Sequence, residues 1–286
     1  MEAVENKSFF QRVFPKRGND AAAFMFMIIM MWFIAGFEFF AVLPNYHEVY
    51  SPIWWFHVCL ALFMFVNVFA NFFRVILVDT SGRRLGLPAV LKPGWKYCPF
   101  CQINSPPRSH HCHACDVCVL KRDHHCIFAG QCVGYANYRY YMFLVIYLWL
   151  GAIYANYYHW EYAKEQLGPF GFTTIFTMFV PFLTWLFGYC TIYQFFVTLM
   201  VGLSMFSLVL FSGLLFFQLR IIFRGQTSYE RKKNRRLYDQ GWKQNFVEVF
   251  GQKWYLSWIW PFIPSHLPGD GTNYKPSESF ETQKDM

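Results

Sequence analysis

Residues 121–130 read KRDHHCIFAG, an aspartate, two histidines and a cysteine in four consecutive positions. These residue types suit two chemistries. Cysteine and histidine ligate soft metal ions, and a cysteine beside an imidazole can become a nucleophilic thiolate. Seven of the nine cysteines of the chain fall between 98 and 132, so the choice must be made for the whole stretch CPFCQINSPPRSHHCHACDVCVLKRDHHCIFAGQC.

That stretch repeats with a period of 14. Cys98, Cys101, His111 and Cys118 follow C-x2-C-x9-H-x6-C, and Cys112, Cys115, His125 and Cys132 follow the same spacing. Each set offers three thiolates and one imidazole, a closed tetrahedral donor set that favours structural zinc over hard cations. A single Cys-x2-Cys is weak evidence; a doubled four-ligand spacing is strong. The sets interleave, since the neighbours His111 and Cys112 belong to different ones. Two zinc ions would therefore knot a polar, loop-rich segment that has no core of its own.

Subtraction assigns the rest. His125 is a ligand. Cys126 is the one cysteine of the seven outside the repeat. His124 is also outside it, and Asp123 precedes it. A cysteine needs a base to become thiolate, and a carboxylate that orients the base helps. Asp123, His124 and Cys126 are that set by type, with a spare surface cysteine as the plainer alternative. His110 and His113 are read as non-ligands at the surface.

The elements that hold this module are membrane spans. Of 286 residues, 22% are aromatic and 15% charged, and the apolar residues come in long runs. Four runs exceed the 18 residues that mark a span candidate: 21–43, 53–78, 140–160 and 196–223. A fifth apolar stretch, 173–192, contains Pro181 and Gly188. The first run is too long for a signal-peptide core, so no cleaved leader is expected, and neither terminus carries a lipidation motif.

Lys and Arg set the orientation. They occur in 1–20 (Lys7, Arg12, Lys16, Arg17), in 79–139 (Arg83, Arg84, Lys92, Lys96, Arg108, Lys121, Arg122, Arg139) and after Arg224, and are nearly missing from 43–52 and 161–172. The positive-inside rule puts the basic segments in the cytosol. Residues 173–192 then cannot cross, and are expected as a re-entrant or luminal-leaflet segment. The expectation is an all-α polytopic membrane protein with four transmembrane helices. Its parts are a cytosolic segment 1–20, two spans in 21–78, a two-zinc cytosolic module in 79–139, the remaining membrane region 140–223, and a cytosolic region 224–286 with an interfacial aromatic cluster (Trp254, Trp258, Trp260) and a disordered end from 268. Basic residues that flank spans argue for anionic lipid and against nucleic acid. Among polar residues inside spans, Glu38 is expected at the interface, Arg74 to snorkel, and Asn67 and Asn71 to bond between helices. The isolated His47, His57, His159 and His266 are expected to be structural or solvated.

With DHHC at 123–126 inside this cysteine pattern and between the second and third spans, the chain resembles the DHHC protein S-acyltransferases. SPPRSHHCHAC and CVGYANYRYY match further motifs of that family, as do TSYE at 227–230, NFVEVFG at 245–251 and the ending WPFIPSHLPGDG. The resemblance implies two-step acyl transfer. Cys126 would attack a long-chain acyl-CoA, palmitoyl-CoA above all. His124, oriented by Asp123, would act as base, and the acyl group would pass to a cysteine of a membrane-associated protein, with an acyl cavity among the spans. The family's zinc ligands fall on the same eight residues, and an endoplasmic reticulum or Golgi membrane is the expected location. By position, Arg108, Lys121 and Arg122 could hold the CoA phosphates, or simply attract the bilayer. The chain departs from the family pattern at Ile127 and Phe128 (usually Pro and Trp), Gln131 (usually Asn), Thr80 and Ser81 (usually Pro and Gly) and Ser228 (usually Thr). These departures leave an alternative, an inactive zinc-stabilised membrane adaptor. A channel or transporter is disfavoured, because the spans carry no ordered set of charges.

Overall fold

A computed structural model describes residue 10 and residues 13–82, 85–169 and 171–277. The expectations that involve Lys7, Arg12, Arg83, Arg84 and the tail beyond 277 lie outside the described residues. The chain divides into two compact units. One gathers the described parts of Met1–Met27, Asn67–Leu144 and Phe216–Met286; the other gathers Ile28–Val66 and Val145–Leu215.

Four described helices are long and apolar enough to cross a bilayer. Helix α1 (Gly18–Phe37) continues through a π-helical turn, Glu38–Val42, and an α-turn, Leu43–Tyr46. Helix α2 spans Pro52–Leu77, α3 Tyr138–Leu167 and, after two short helices, α6 Ile192–Phe223. The shortest of these runs, α2, has 26 residues. That is about 39 Å at about 1.5 Å per residue, enough for a hydrocarbon core of about 30 Å. Helix α3 outruns its apolar stretch, because EYAKEQL adds good helix formers after Trp160. The 173–192 segment forms α4 (Phe172–Phe179) and α5 (Pro181–Leu186). With 8 and 6 residues, and a break imposed by Pro181, neither can span. Within the second unit, Val42, Tyr162, Ala163, Val197 and Val201 form a buried cluster. Glu38 meets the fully buried His159 there at 2.7 Å.

The cysteine segment is not without regular structure. It forms three two-stranded antiparallel hairpins: β1 (Lys96–Cys98) with β2 (Ile103–Ser105), β3 (His110–Cys112) with β4 (Val117–Val119), and β5 (His124–Cys126) with β6 (Gln131–Val133). Their registers, Cys98↔Ile103, Cys112↔Val117 and Cys126↔Gln131, are successive 14-residue translations of one another. So are the left-handed turn residues Gln102, Asp116 and Gly130. The sequence repeat is thus a structural repeat with three copies, one more than the metal spacing shows. Strands of three residues carry too weak a period-2 pattern to be read from sequence.

The remaining elements of this unit pack on the hairpins. Asn137 joins three of them, donating to the carbonyls of Val75 and Cys132 and accepting from the Gly134 amide. Helix α7 (Ser228–Lys232) starts with a capping box between Thr227 and Glu230. Helix α8 (Trp242–Phe250) is tied to the end of α6 by Asn245, which donates to the Phe223 carbonyl at 3.0 Å. The short helix α9 (Trp254–Ser257) and the loop after it leave Trp254, Trp258, Ile259, Trp260 and Phe262 exposed. Residues 268–277 are not disordered. Gly271 packs so closely on Tyr135 that a Cβ would lie 2.7 Å from the ring, and Tyr274 meets Tyr238 edge-on. The polar composition of this segment hides both contacts. Arg74 donates to the Tyr140 hydroxyl at 2.8 Å and lies over the same ring. Asn71 bonds the Asn67 carbonyl of its own helix at 2.9 Å.

Arg108 holds the hairpins to α7. Its guanidinium grips Glu230 through two bonds, at 2.8 and 2.7 Å, donates to the Gly225 carbonyl at 2.8 Å, and lies against Tyr238 and Tyr274. The side chain is fully buried. Breaking a buried pair by removing one partner leaves an uncompensated charge and costs about 3–5 kcal/mol. Arg108→Ala is therefore expected to lower the thermal unfolding midpoint of detergent-solubilised protein markedly. Arg108→Lys should restore only part of it, because ammonium cannot form the two-pronged contact. An unchanged midpoint for Arg108→Ala would contradict this role.

Candidate active site

Strand β5 separates the two chemistries by its pleat. Side chains alternate across a strand, so His124 and Cys126 share one face and His125 takes the other. His125 Nδ1 lies 3.7, 3.3 and 3.7 Å from the sulfurs of Cys112, Cys115 and Cys132.

In both predicted ligand sets the donor atoms lie within 4.8 Å of one another. Bonds of about 2.3 Å to sulfur and about 2.0 Å to nitrogen give tetrahedral donor–donor edges of roughly 3.5–3.8 Å. The separations around His125, and the 3.7 Å between Cys115 and Cys132, match those edges. Both clusters can therefore hold a metal ion, and the donor chemistry fits zinc. The hairpins explain the interleaving. The first contributes Cys98 and Cys101, the third contributes His125 and Cys132, and the middle one supplies two ligands to each set. His110 and His113 stay outside both. His110 stacks on Tyr229, and His113 meets Phe100 edge-on.

The opposite face of β5 carries the candidate reactive group. The Asp123 carboxylate is buried and fully engaged. Oδ2 lies 2.8 Å from His124 Nδ1 and accepts from Ser228 Oγ at 2.8 Å, while Oδ1 accepts from the Ser228 amide at 2.7 Å. Gln218 approaches Oδ2 at 3.5 Å, and its own carbonyl accepts from the Tyr138 hydroxyl. Burial alone would raise the Asp123 carboxyl, but the His124 and Ser228 contacts outweigh it and hold the group below the usual carboxylate range. Burial likewise opposes the charged form of His124. Its bonds to Asp123 and Cys126 prevail and lift the imidazole to about 9. Tyr141 closes the site edge-on, its ring 5.0 Å from that of His124. The result is an imidazole whose Nδ1 is fixed by a carboxylate and which keeps its proton at neutral pH beside the Cys126 sulfur. That is the partner a thiolate nucleophile requires.

Three expected phosphate-binding residues are not brought together. Arg108 is buried against Glu230. Lys121 is buried against Glu248 at 2.9 Å, and burial, with Arg108 nearby, pulls its ammonium down to about 8. Arg122 lies over the second metal cluster, donating to the sulfurs of Cys132 and Cys112 at 3.5 and 3.8 Å. Arg108 and Lys121 are thus each paired with a carboxylate, whereas Arg122 is partly exposed. Sequence reasoning, in turn, did not find Ser228 and Gln218 as partners of Asp123. The TSYE match marks the first; a lone glutamine in an apolar helix gives no signal of its own for the second.

The comparisons with known proteins agree with this geometry. The model of the DHHC palmitoyltransferase family matches residues 92–235, which contain all three hairpins and the reactive set. Probable palmitoyltransferase ZDHHC24 of Danio rerio is 38% identical over 241 residues, 82% of this chain and 81% of its own length. Its counterpart in Homo sapiens is 33% identical over 76% of this chain and 77% of its own. Palmitoyltransferase ZDHHC22 of Mus musculus is 29% identical over 85% of this chain and 92% of its own. A reactive-type cysteine on one face of a hairpin, with a metal-ligand histidine on the other, thus sits in a chain that belongs to the DHHC palmitoyltransferase family.

Proposed function

We propose that this multi-pass membrane protein is a protein S-acyltransferase that moves a long-chain acyl group, palmitoyl above all, from acyl-CoA through Cys126 to cysteines of membrane-associated proteins. The observation that carries the proposal is the shared face of His124 and Cys126, with Asp123 locked on the far nitrogen of the imidazole. The Lys and Arg distribution supports a cytosolic hairpin module, where acyl-CoA and reduced thiols are available.

In the first step the Cys126 sulfur attacks the thioester carbonyl, the bond from that carbonyl to the CoA sulfur breaks, and CoA leaves as a thiol with the proton held by His124. In the second, His124 takes the proton of an acceptor cysteine. The acceptor sulfur attacks the acyl carbon, and the bond to Cys126 breaks, regenerating the resting pair. Asp123 stabilises the imidazolium in both directions, and Ser228 fixes Asp123. The eight Cys and His ligands would hold two zinc ions, whose contribution is folding free energy and a rigid β5. An adaptor needs the hairpins but has no use for Ser228 and Gln218 seated on Asp123, which favours the enzyme.

Purified, folded protein is expected to contain two zinc ions per chain by elemental analysis; none or one would contradict the ligand assignment. The two adjacent histidines are expected to behave oppositely. His124→Ala should retain both ions and slow acyl uptake by about 10²–10⁴-fold, the usual contribution of a general base. His125→Ala should lose zinc and fold poorly. Cys126→Ser should retain zinc and take up no acyl group. Equal zinc loss from the two histidine variants, or acyl uptake by Cys126→Ser at another cysteine, would contradict the roles.

A further inference from the structure

The two metal clusters differ in what stands behind their histidines. His125 uses Nδ1 toward its three sulfurs, and its Nε2 lies 3.1 Å from Oδ2 of Asp20, with both side chains nearly buried. At the first cluster, His111 Nε2 is 3.9 Å from Asp116, beyond hydrogen-bond range, and the Asp116 side chain is 87% exposed. A buried carboxylate must find a donor, and an imidazole that donates from Nε2 presents its Nδ1 lone pair to the metal. A carboxylate behind a ligand histidine fixes tautomer and ring orientation and strengthens the ligand.

Asp20 is well placed to do so. It sits in the first turn of α1, where the helix dipole favours an anion. Phe24, one turn on, stacks on Phe72 at 5.6 Å and meets Phe14 at 6.0 Å. The chain just before the helix rests on the third hairpin. Gly130, with φ +58°, approaches Pro15 so closely that a Cβ would lie 2.5 Å from its ring. The start of the first span is therefore packed against the hairpin that carries His124, His125 and Cys126.

We infer that Asp20 is a positioning residue for the second metal site: it orients His125, makes that site the slower of the two to release metal, and so steadies the strand that carries the reactive cysteine. The inference rests on the reading of the clusters as zinc sites. It separates from that reading experimentally, because zinc content is measured first.

The test is zinc release from full-length protein in detergent after addition of excess chelator, followed with a metal-sensitive dye. Wild type is expected to release its two ions in a fast and a slow phase. Asp20→Asn should still purify with two, and its slow phase should accelerate by about 10–100-fold, the usual effect of losing such a partner. Asp116→Asn should change neither phase. In a His125→Cys background the ligand has no imidazole to orient, so adding Asp20→Asn should accelerate nothing. Wild-type protein without zinc defeats the zinc reading itself. Two zinc ions with the same release from wild type and Asp20→Asn overturns the role of Asp20 alone. Should Asp20→Asn fail to fold, the double variant decides. Folding with two zinc ions supports the role, because the carboxylate was needed only for the imidazole. Failure in both backgrounds overturns it.

Discussion

His125 cannot point into the second metal cluster without turning His124 and Cys126 the other way. That alternation, imposed by the pleat of a three-residue strand, is the constraint on which the rest depends. Isolated hairpins of this size are unstable in water. The two Cys/His clusters join the three of them, so metal ions held there would position the proposed reactive pair without taking part in its chemistry. Everything else in the unit braces that strand. Ser228 and Gln218 hold the carboxylate before it, Arg108 holds the helix that carries Ser228, and Asn137 ties the end of β6 to α2 and the start of α3.

The third copy of the repeat explains why a free cysteine stands here. Cys98 and Cys112 open their hairpin turns, and Cys126 occupies the equivalent place. Cys101 and Cys115 supply the second ligand of each turn, whereas the matching residue of the third copy is Ala129. Among the described residues no fourth hairpin follows to complete a donor set. Cys126 thus has the backbone setting of a metal ligand and lacks the partners that would bind one. In its place it has an imidazole that keeps its proton, which favours nucleophilic sulfur over ligated sulfur.

Much of this was legible in the sequence for identifiable reasons. Metal ligation demands fixed residue types at fixed spacing, so the eight residues that the structure gathers into two clusters could be read directly, and Cys126 was left over by subtraction. Apolar runs long enough to cross a bilayer marked the four helices. What escaped was set by tertiary packing. Asp20, Gln218 and Ser228 reach the site across long sequence separations and look unremarkable in their own segments. The ion pairs of Arg108 and Lys121 escaped as well, because their acidic partners, Glu230 and Glu248, lie more than 100 positions away. Tyr274, the single aromatic of 268–277, was hidden by polar neighbours.

The central claim is that one cysteine is chemically free because its strand is held from behind. The most direct measurement is site mapping on wild-type protein. Zinc-replete enzyme is mixed with palmitoyl-CoA in the absence of acceptor, digested under mildly acidic conditions and analysed by mass spectrometry, with and without hydroxylamine. The expected result is a single hydroxylamine-labile acyl group, located on Cys126, with the eight other cysteines unmodified: the six of the metal clusters, Cys59 and Cys190. Acyl groups distributed over the ligand cysteines, or none on Cys126 in protein that retains both metal ions, would contradict the claim.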